Sequence, residues 1–243
     1  HMLNNKGGIE TDITINRLGE KEFLLISSAT MQPRDLNWIK KSITENENVQ
    51  VSDITSTYTV LSLQGPRSRD ILSKLTKADL SNDGFPFATS QEIEIGYTSV
   101  MANRLTYIGE LGWEIFVPTE YSLDVFDNLM RVGKEFDLKP AGYHALEHLR
   151  SERAYREYEL DLTPEDTPLE AGLGFTIDWD KPGGFVGLEA LLKQKNKGLL
   201  KKRLVCFRLK DSKEVLWHEE IIYRNGEIVG YVSSGAYSFH FGC

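Results

Sequence analysis

The chain has 243 residues; 40% are hydrophobic, 26% are charged, and the net charge is −8. That length can enclose a sizeable core in one large domain or two small ones, and the composition excludes a disordered chain. The acidic balance excludes an electrostatic footprint for nucleic acid or for an anionic membrane surface. The two cysteines, Cys206 and Cys243, fit no metal or redox spacing and cannot build a disulfide framework, which predicts a reducing, intracellular home. No run of about 18 apolar residues is present, so no membrane span is expected. His1-Met2 reads as a cloning remnant, and no targeting segment follows it.

In chain order, Ile13-Thr14-Ile15 and Phe23-Leu24-Leu25-Ile26 predict two short strands joined by a turn at Leu18-Gly19-Glu20-Lys21. Leu36, Ile39 and Ile43 recur at helical spacing and predict a helix over 33–43. A strand follows over 58–63, and Gly65-Pro66 opens a helix that buries Ile71, Leu72 and Leu75. A turn-rich loop spans 79–89, with an apolar Phe85-Pro86-Phe87 expected to pack. Strands are expected over 92–95, 99–105 and 113–117. In the last of these, alternation puts Trp113 and Ile115 on one face and Glu114 and Phe116 on the other. Thr119 is a candidate cap for a helix whose stripe is Leu123, Phe126 and Met130, widened by Val125 and Leu129. Another helix is expected over 142–155, then irregular chain over 161–182 and a short helix over 187–195. After Lys201 the pattern turns to strands, including one around Cys206, and Asn225-Gly226 signals a hairpin. A domain boundary is expected near residue 200, with an α+β part before it and the start of a β unit after it. So short a β unit is expected to pack on what precedes it, or else the chain is a fragment.

The chain carries no Walker loop, no Gly-x-Gly-x-x-Gly, no His-Glu-x-x-His and no Gly-x-Ser-x-Gly. His144 and His148 stand four apart on a predicted helix but have no third ligand in view, so no metal site is assigned. His144 reads as a partly buried helix residue, Glu147 and His148 as surface. Two carboxylates are more suggestive. Asp12 follows Gly7-Gly8 at the mouth of a strand, where it either stabilises charge or moves a proton, or bonds its own turn. Glu114 is a lone carboxylate in an apolar strand; it either faces solvent or receives a ligand. The adjacent N–H donors of a 2-aminopyrimidinone edge would suit it in a fork, and Tyr107, seven residues earlier, could give the same ligand an aromatic face or a hydroxyl.

Five blocks in order then resemble the folate-binding aminomethyltransferase fold of the glycine cleavage T-protein. They are Met2-Leu3-Asn4-Asn5-Lys6-Gly7-Gly8-Ile9 with Asp12; Leu63-Gln64-Gly65-Pro66; Tyr107-x-Gly-Glu-x-Gly-x-Glu114; Thr167-Pro168-Leu169-Glu170-Ala171-Gly172-Leu173; and Phe185-Val186-Gly187-Leu188-Glu189-Ala190-Leu191. Within that family the likeness is nearest the folate domain of sarcosine and dimethylglycine dehydrogenases, supported by Leu80-Ser81-Asn82-Asp83-Gly84-Phe85-Pro86-Phe87 and Ser234-Gly235-Ala236-Tyr237-Ser238.

The resemblance implies an α+β fold with ferredoxin-like subdomains over 3–200, lacking an N-terminal part, and an incomplete β-barrel over 201–243. It implies tetrahydrofolate as cofactor. A one-carbon unit would come from an oxidised N-methyl amine, sarcosine or dimethylglycine, and give 5,10-methylenetetrahydrofolate. FAD would sit in a flavin oxidoreductase domain upstream in the same parent chain. It also implies Asp12 as the catalytic carboxylate and Tyr107 and Glu114 as the pterin-binding pair, together lining one cavity. Leu146 stands where the glycine cleavage enzyme has a folate-holding arginine, which favours the dehydrogenase branch. Two alternatives are a stand-alone aminomethyltransferase and a non-catalytic protein resembling the regulatory subunit of pyruvate dehydrogenase phosphatase. The expected location is cytoplasmic, or the mitochondrial matrix in a eukaryote.

Overall fold

A computed structural model describes residues 1–211 and 213–243, which divide into two compact units, 1–51 with 156–243 and 52–155. Along the first stretch run β1 (Met2–Leu3), β2 (Ile9–Thr11), β3 (Thr14–Arg17), β4 (Phe23–Ile26) and α1 (Gln32–Ser42). The second unit contains β5 (Tyr58–Gln64), α2 (Ser68–Leu72), β6 (Ser90–Ile95), β7 (Thr98–Asn103), β8 (Gly112–Pro118), α3 (Ser122–Gly133) and α4 (Tyr143–Glu152). The chain then returns to the first unit with α5 (Leu188–Lys197), β9 (Ile221–Arg224) and β10 (Glu227–Tyr231).

The second unit is organised by strand alternation. Its sheet, in the order β5-β8-β7-β6, is antiparallel throughout. Trp113, Ile115 and Val117 of β8 are all 0% exposed and join Leu63, Ile93, Ile95, Val100 and Ala102 in one apolar core. The helices α2 and α3 close that face with Ile71, Leu72, Val125 and Leu129. Burial on this scale, at about 25 cal/mol per Å² of apolar surface, is the main favourable contribution to the unit's folding. Phe85 is buried edge-on against Trp113 at 6.1 Å, whereas Phe87 of the same expected apolar trio is 62% exposed.

The helix face on α3 differs from the expected one. Val125, Leu129 and Gly133 are buried, while Leu123 is 72% exposed and Phe126 41%. Both stripes have helical period; the core beneath takes Val125 and Leu129, which pack with residues of β8 and α2. Thr119 caps nothing: its hydroxyl donates to the Ser56 carbonyl at 2.9 Å, and Ser122 takes over the local turn by donating to Thr119 O at 2.7 Å.

The first unit is held differently. Strands β1 and β2 pair antiparallel around the Asn4–Gly8 turn, where Asn4 Oδ1 accepts from the backbone N–H groups of Lys6 and Gly8. A side chain at Gly8 would fall 1.9 Å from the Pro164 carbonyl, so only glycine permits this close approach. On α1 the buried residue is Asp35 rather than the apolar set, with Leu36 and Ile39 half-buried. The reason is polar: Arg34 donates to the Glu10 carbonyl and pairs with the Glu10 carboxylate, turning α1 by its charged residues.

The segment beyond residue 200 lies on this unit through Lys202 Nζ to Asp166 (2.6 Å), Leu204 N–H to Glu170 O (2.8 Å) and Ser234 Oγ to Asp161 (2.8 Å). The expected strand around Cys206 is absent, and Cys206 is exposed on irregular chain. β9 and β10 form the expected hairpin across Asn225-Gly226, both at positive φ as a two-residue turn requires. No closed barrel forms among the described residues. No helix among them is long and apolar enough to cross a membrane.

Candidate functional site

Glu114 sits mid-strand on β8, directly opposite Ser62 on β5 and Asn103 on β7. It points away from the apolar core, as period 2 dictates for the neighbour of Trp113 and Ile115. On its own face, Phe116 is 3% exposed and lies edge-on to Tyr58 at 6.4 Å. The Glu114 side chain is half-buried, and among the described residues its carboxylate has no hydrogen-bond or ion-pair partner. Burial raises its carboxyl above the ordinary glutamate range. A carboxylate so placed is short of donors, and a ligand offering two N–H groups would satisfy it.

Tyr107 lies on the loop from β7 to β8, and that loop is fastened at both ends. The Gln64 amide donates to Leu105 O at 3.1 Å; at the far end Leu111 O accepts from Gly65 N–H (2.8 Å) and Ser68 Oγ (2.9 Å). The sequence block Leu63-Gln64-Gly65-Pro66 thus has a local function: it clamps the Tyr107 loop beside β8. Within the loop, Thr106 Oγ1 accepts from Ile108 N–H (3.2 Å) and Glu110 N–H (3.1 Å). Gly109 adopts φ +72°, and a Cβ there would meet the Arg153 side chain at 2.8 Å. Arg153 in turn approaches Glu110 at 3.6 Å, and the Tyr107 and Tyr155 rings lie 5.9 Å apart with planes 37° apart. Gln64, Arg153 and Tyr155 were not singled out as site residues from sequence. Gln64 stood within a quoted motif, while the other two had no sequence signal beyond their place at a helix end.

Asp12 belongs to the other unit, just past β2. Burial raises its carboxyl pKa, opposed by the chain's amino terminus, and His1 Nε2 stands 3.7 Å from Oδ1. The side chain nonetheless keeps 42% of its surface accessible, so this carboxyl is crowded by protein yet open to solvent. Behind it, Glu10 is fixed by Asn4 Nδ2 (2.9 Å) and Arg34, and the Tyr158 hydroxyl donates to Glu10 O at 2.6 Å. Burial pushes the Tyr158 hydroxyl up to about 12, which keeps it a neutral donor. A cavity of ≈ 390 Å³ in the same unit is lined by Leu3, Trp38, Ser42, Lys181, Phe185 and Val186 among others, and by none of the three predicted site residues.

On α4 the expected exposures are reversed: His144 is exposed, while Glu147 and His148 are half-buried. The cause is Arg150, 2% exposed, whose guanidinium draws Glu147 inward with bonds of 2.9 and 2.6 Å. Leu146 is half-buried on this helix. No cluster of metal-ligating side chains occurs among the described residues.

Comparison with known proteins agrees with this architecture. Residues 1–181 match the family model "GCVT N-terminal domain", and residues 202–243 match "Glycine cleavage T-protein C-terminal barrel domain". The chain is 37% identical to human mitochondrial dimethylglycine dehydrogenase over 98% of its own length, and 38% identical to the mouse mitochondrial pyruvate dehydrogenase phosphatase regulatory subunit over the same share. It spans 28% of the length of each. Among solved structures, the glycine cleavage system aminomethyltransferase T of Bartonella henselae superposes with TM-score 0.84 at 24% identity, covering 99% of this chain and 63% of that one. This chain belongs to the glycine cleavage T-protein family, of which it carries the GCVT N-terminal domain and part of the C-terminal barrel domain.

Proposed function

We propose that the chain binds a reduced folate through Glu114 and Tyr107, as the folate domain of an enzyme that loads a one-carbon unit onto tetrahydrofolate. The observation that carries this reading is the half-buried, unpartnered Glu114 carboxylate on the strand fed by the Tyr107 loop. A carboxylate with no protein donor is matched by the paired N–H edge of a 2-aminopyrimidinone, and each charge-assisted bond is stronger than a neutral one. Tyr107 offers an aromatic face to the same flat ring. Asp12 is proposed as the proton-handling carboxylate of the transfer; a raised pKa and an open oxygen suit a group that must take and return a proton.

The likeness to dimethylglycine dehydrogenase supports an oxidised N-methyl amine as the carbon source and 5,10-methylenetetrahydrofolate as product. The parent enzyme would then supply the iminium from a separate flavin domain. A domain boundary near residue 200 is supported by the gap between the two family matches, the first of which ends at 181 and the second of which starts at 202. The second reading is a non-catalytic regulatory domain, favoured by the equally strong likeness to the phosphatase regulatory subunit.

Calorimetric titration with 5-formyltetrahydrofolate separates them. The folate reading predicts binding by the wild-type chain and a loss of about 2–4 kcal/mol in Glu114→Ala, the value of two forked charge-assisted bonds. A well-folded wild type that takes up no folate, or a Glu114→Ala variant that binds equally well, favours the regulatory reading.

A further inference from the structure

Helix α4 ends in a Schellman motif. Tyr155 N–H donates to Arg150 O at 3.0 Å and Ala154 N–H donates to Ser151 O at 2.9 Å, the paired bonds that define this cap. The residue between, Ala154, takes φ +56°, a left-handed conformation that glycine adopts more readily. The strained turn has a consequence for the next residue. Arg150 Nη1 donates back to Tyr155 O at 3.2 Å, so both main-chain polar groups of Tyr155 are fixed by the same buried arginine. That arginine is itself buried, with 2% exposure and two bonds to Glu147. The Tyr155 side chain leaves this anchor and packs against Tyr107 at 5.9 Å, beside the contact that Arg153 makes with Gly109 and Glu110.

We propose that Tyr155 is a positioning residue for the ligand site: anchored by Arg150, it sets the ring plane of Tyr107 and so pre-orders the aromatic face on the loop that leads into the Glu114 strand. This rests on the folate reading above. Tyr107 is a side chain with two rotatable torsions on a loop two residues before Gly109, and a ligand that had to order it would bind more weakly. Packing against a fixed neighbour removes that cost before the ligand arrives. The ring of Tyr155, not its hydroxyl, makes the contact with Tyr107.

The test is a double-mutant cycle read by titration with 5-formyltetrahydrofolate. Tyr155→Ala is expected to weaken binding about fivefold, the scale of one aromatic pair, and Tyr155→Phe to bind as the wild type does. In a Tyr107→Ala background, Tyr155→Ala is expected to cause no further loss, because the ring it positions is gone. Equal losses in the two backgrounds would mean a general structural effect and overturn the proposal. Should Tyr155→Ala fail to fold, Tyr155→Leu keeps apolar bulk without a ring and reads the same comparison. Binding that depends on Glu114 but not on Tyr155 overturns this inference alone. A folded wild type that binds no folate overturns it together with the reading it rests on.

Discussion

The two units solve the same problem, fixing a carboxylate, by opposite means. In the second, a clean apolar core holds one face of β8 so firmly that the other face can carry Glu114 without a partner. In the first, the buried apolar cluster is small, centred on Ile9, Leu162 and Ala171, and the chain behind Asp12 is fixed by polar bonds from Asn4, Arg34 and Tyr158. Each unit is therefore vulnerable in its own way: hydrophobic truncation should damage the second, and loss of one charged hub should damage the first.

The largest expected effect is on the apolar side. Trp113 is 0% exposed and packs with Phe85, so Trp113→Ala should cost about 3–5 kcal/mol in chemical denaturation. A loss near zero would mean that the core can collapse around the cavity and that the strand face is not rigidly set. Next comes the polar hub. Arg34→Ala removes the ion-pair partner of the Glu10 and Asp35 carboxylates, whose side chains are 12% and 4% exposed, leaving Glu10 with the Asn4 amide alone, and should cost about 1–3 kcal/mol; the arginine's own partial exposure moderates the figure. If Arg34→Ala cost nothing while Trp113→Ala remained costly, the polar account of the first unit would break. The smallest effect has the opposite sign. Ala154→Gly relieves a left-handed alanine and should stabilise the chain by about 0.5–1 kcal/mol, seen as a raised Tm.

What could be read in the sequence follows the same division. The strands of the second unit and the orientation of Glu114 come from a period of two, a property of adjacent residues that needs no partner to be visible. The α3 face was legible only in part: the pattern names Val125 and Leu129, which are buried, but also Leu123 and Phe126, which are exposed, and only the sheet beneath chooses between the two stripes. In the first unit the decisive contacts join residues far apart, Arg34 with Glu10 and Tyr158 with Glu10 across 148 positions, and no local pattern announces them. Tyr155 was hidden for a similar reason. Its location depends on an arginine buried five positions earlier and on a left-handed turn that alanine does not advertise.

On the folate reading, the half-buried Glu114 carboxylate is kept without a protein partner because a ligand supplies one. Its folded pKa is raised, so the folded state holds its proton more tightly than the unfolded chain does. The burial penalty is therefore absent at pH below the ordinary glutamate range, appears as pH rises through the interval up to the raised folded value, and is fully present above it. Glu114→Gln removes the charge at constant shape. The measurement is its Tm without ligand at about pH 7 and about pH 4, beside its affinity for 5-formyltetrahydrofolate at the higher pH. The account predicts a variant more stable than wild type near neutrality, a gap that closes on acidification, and weakened folate binding. A variant that is less stable near neutrality, or one that binds folate as well as the wild type, would contradict it.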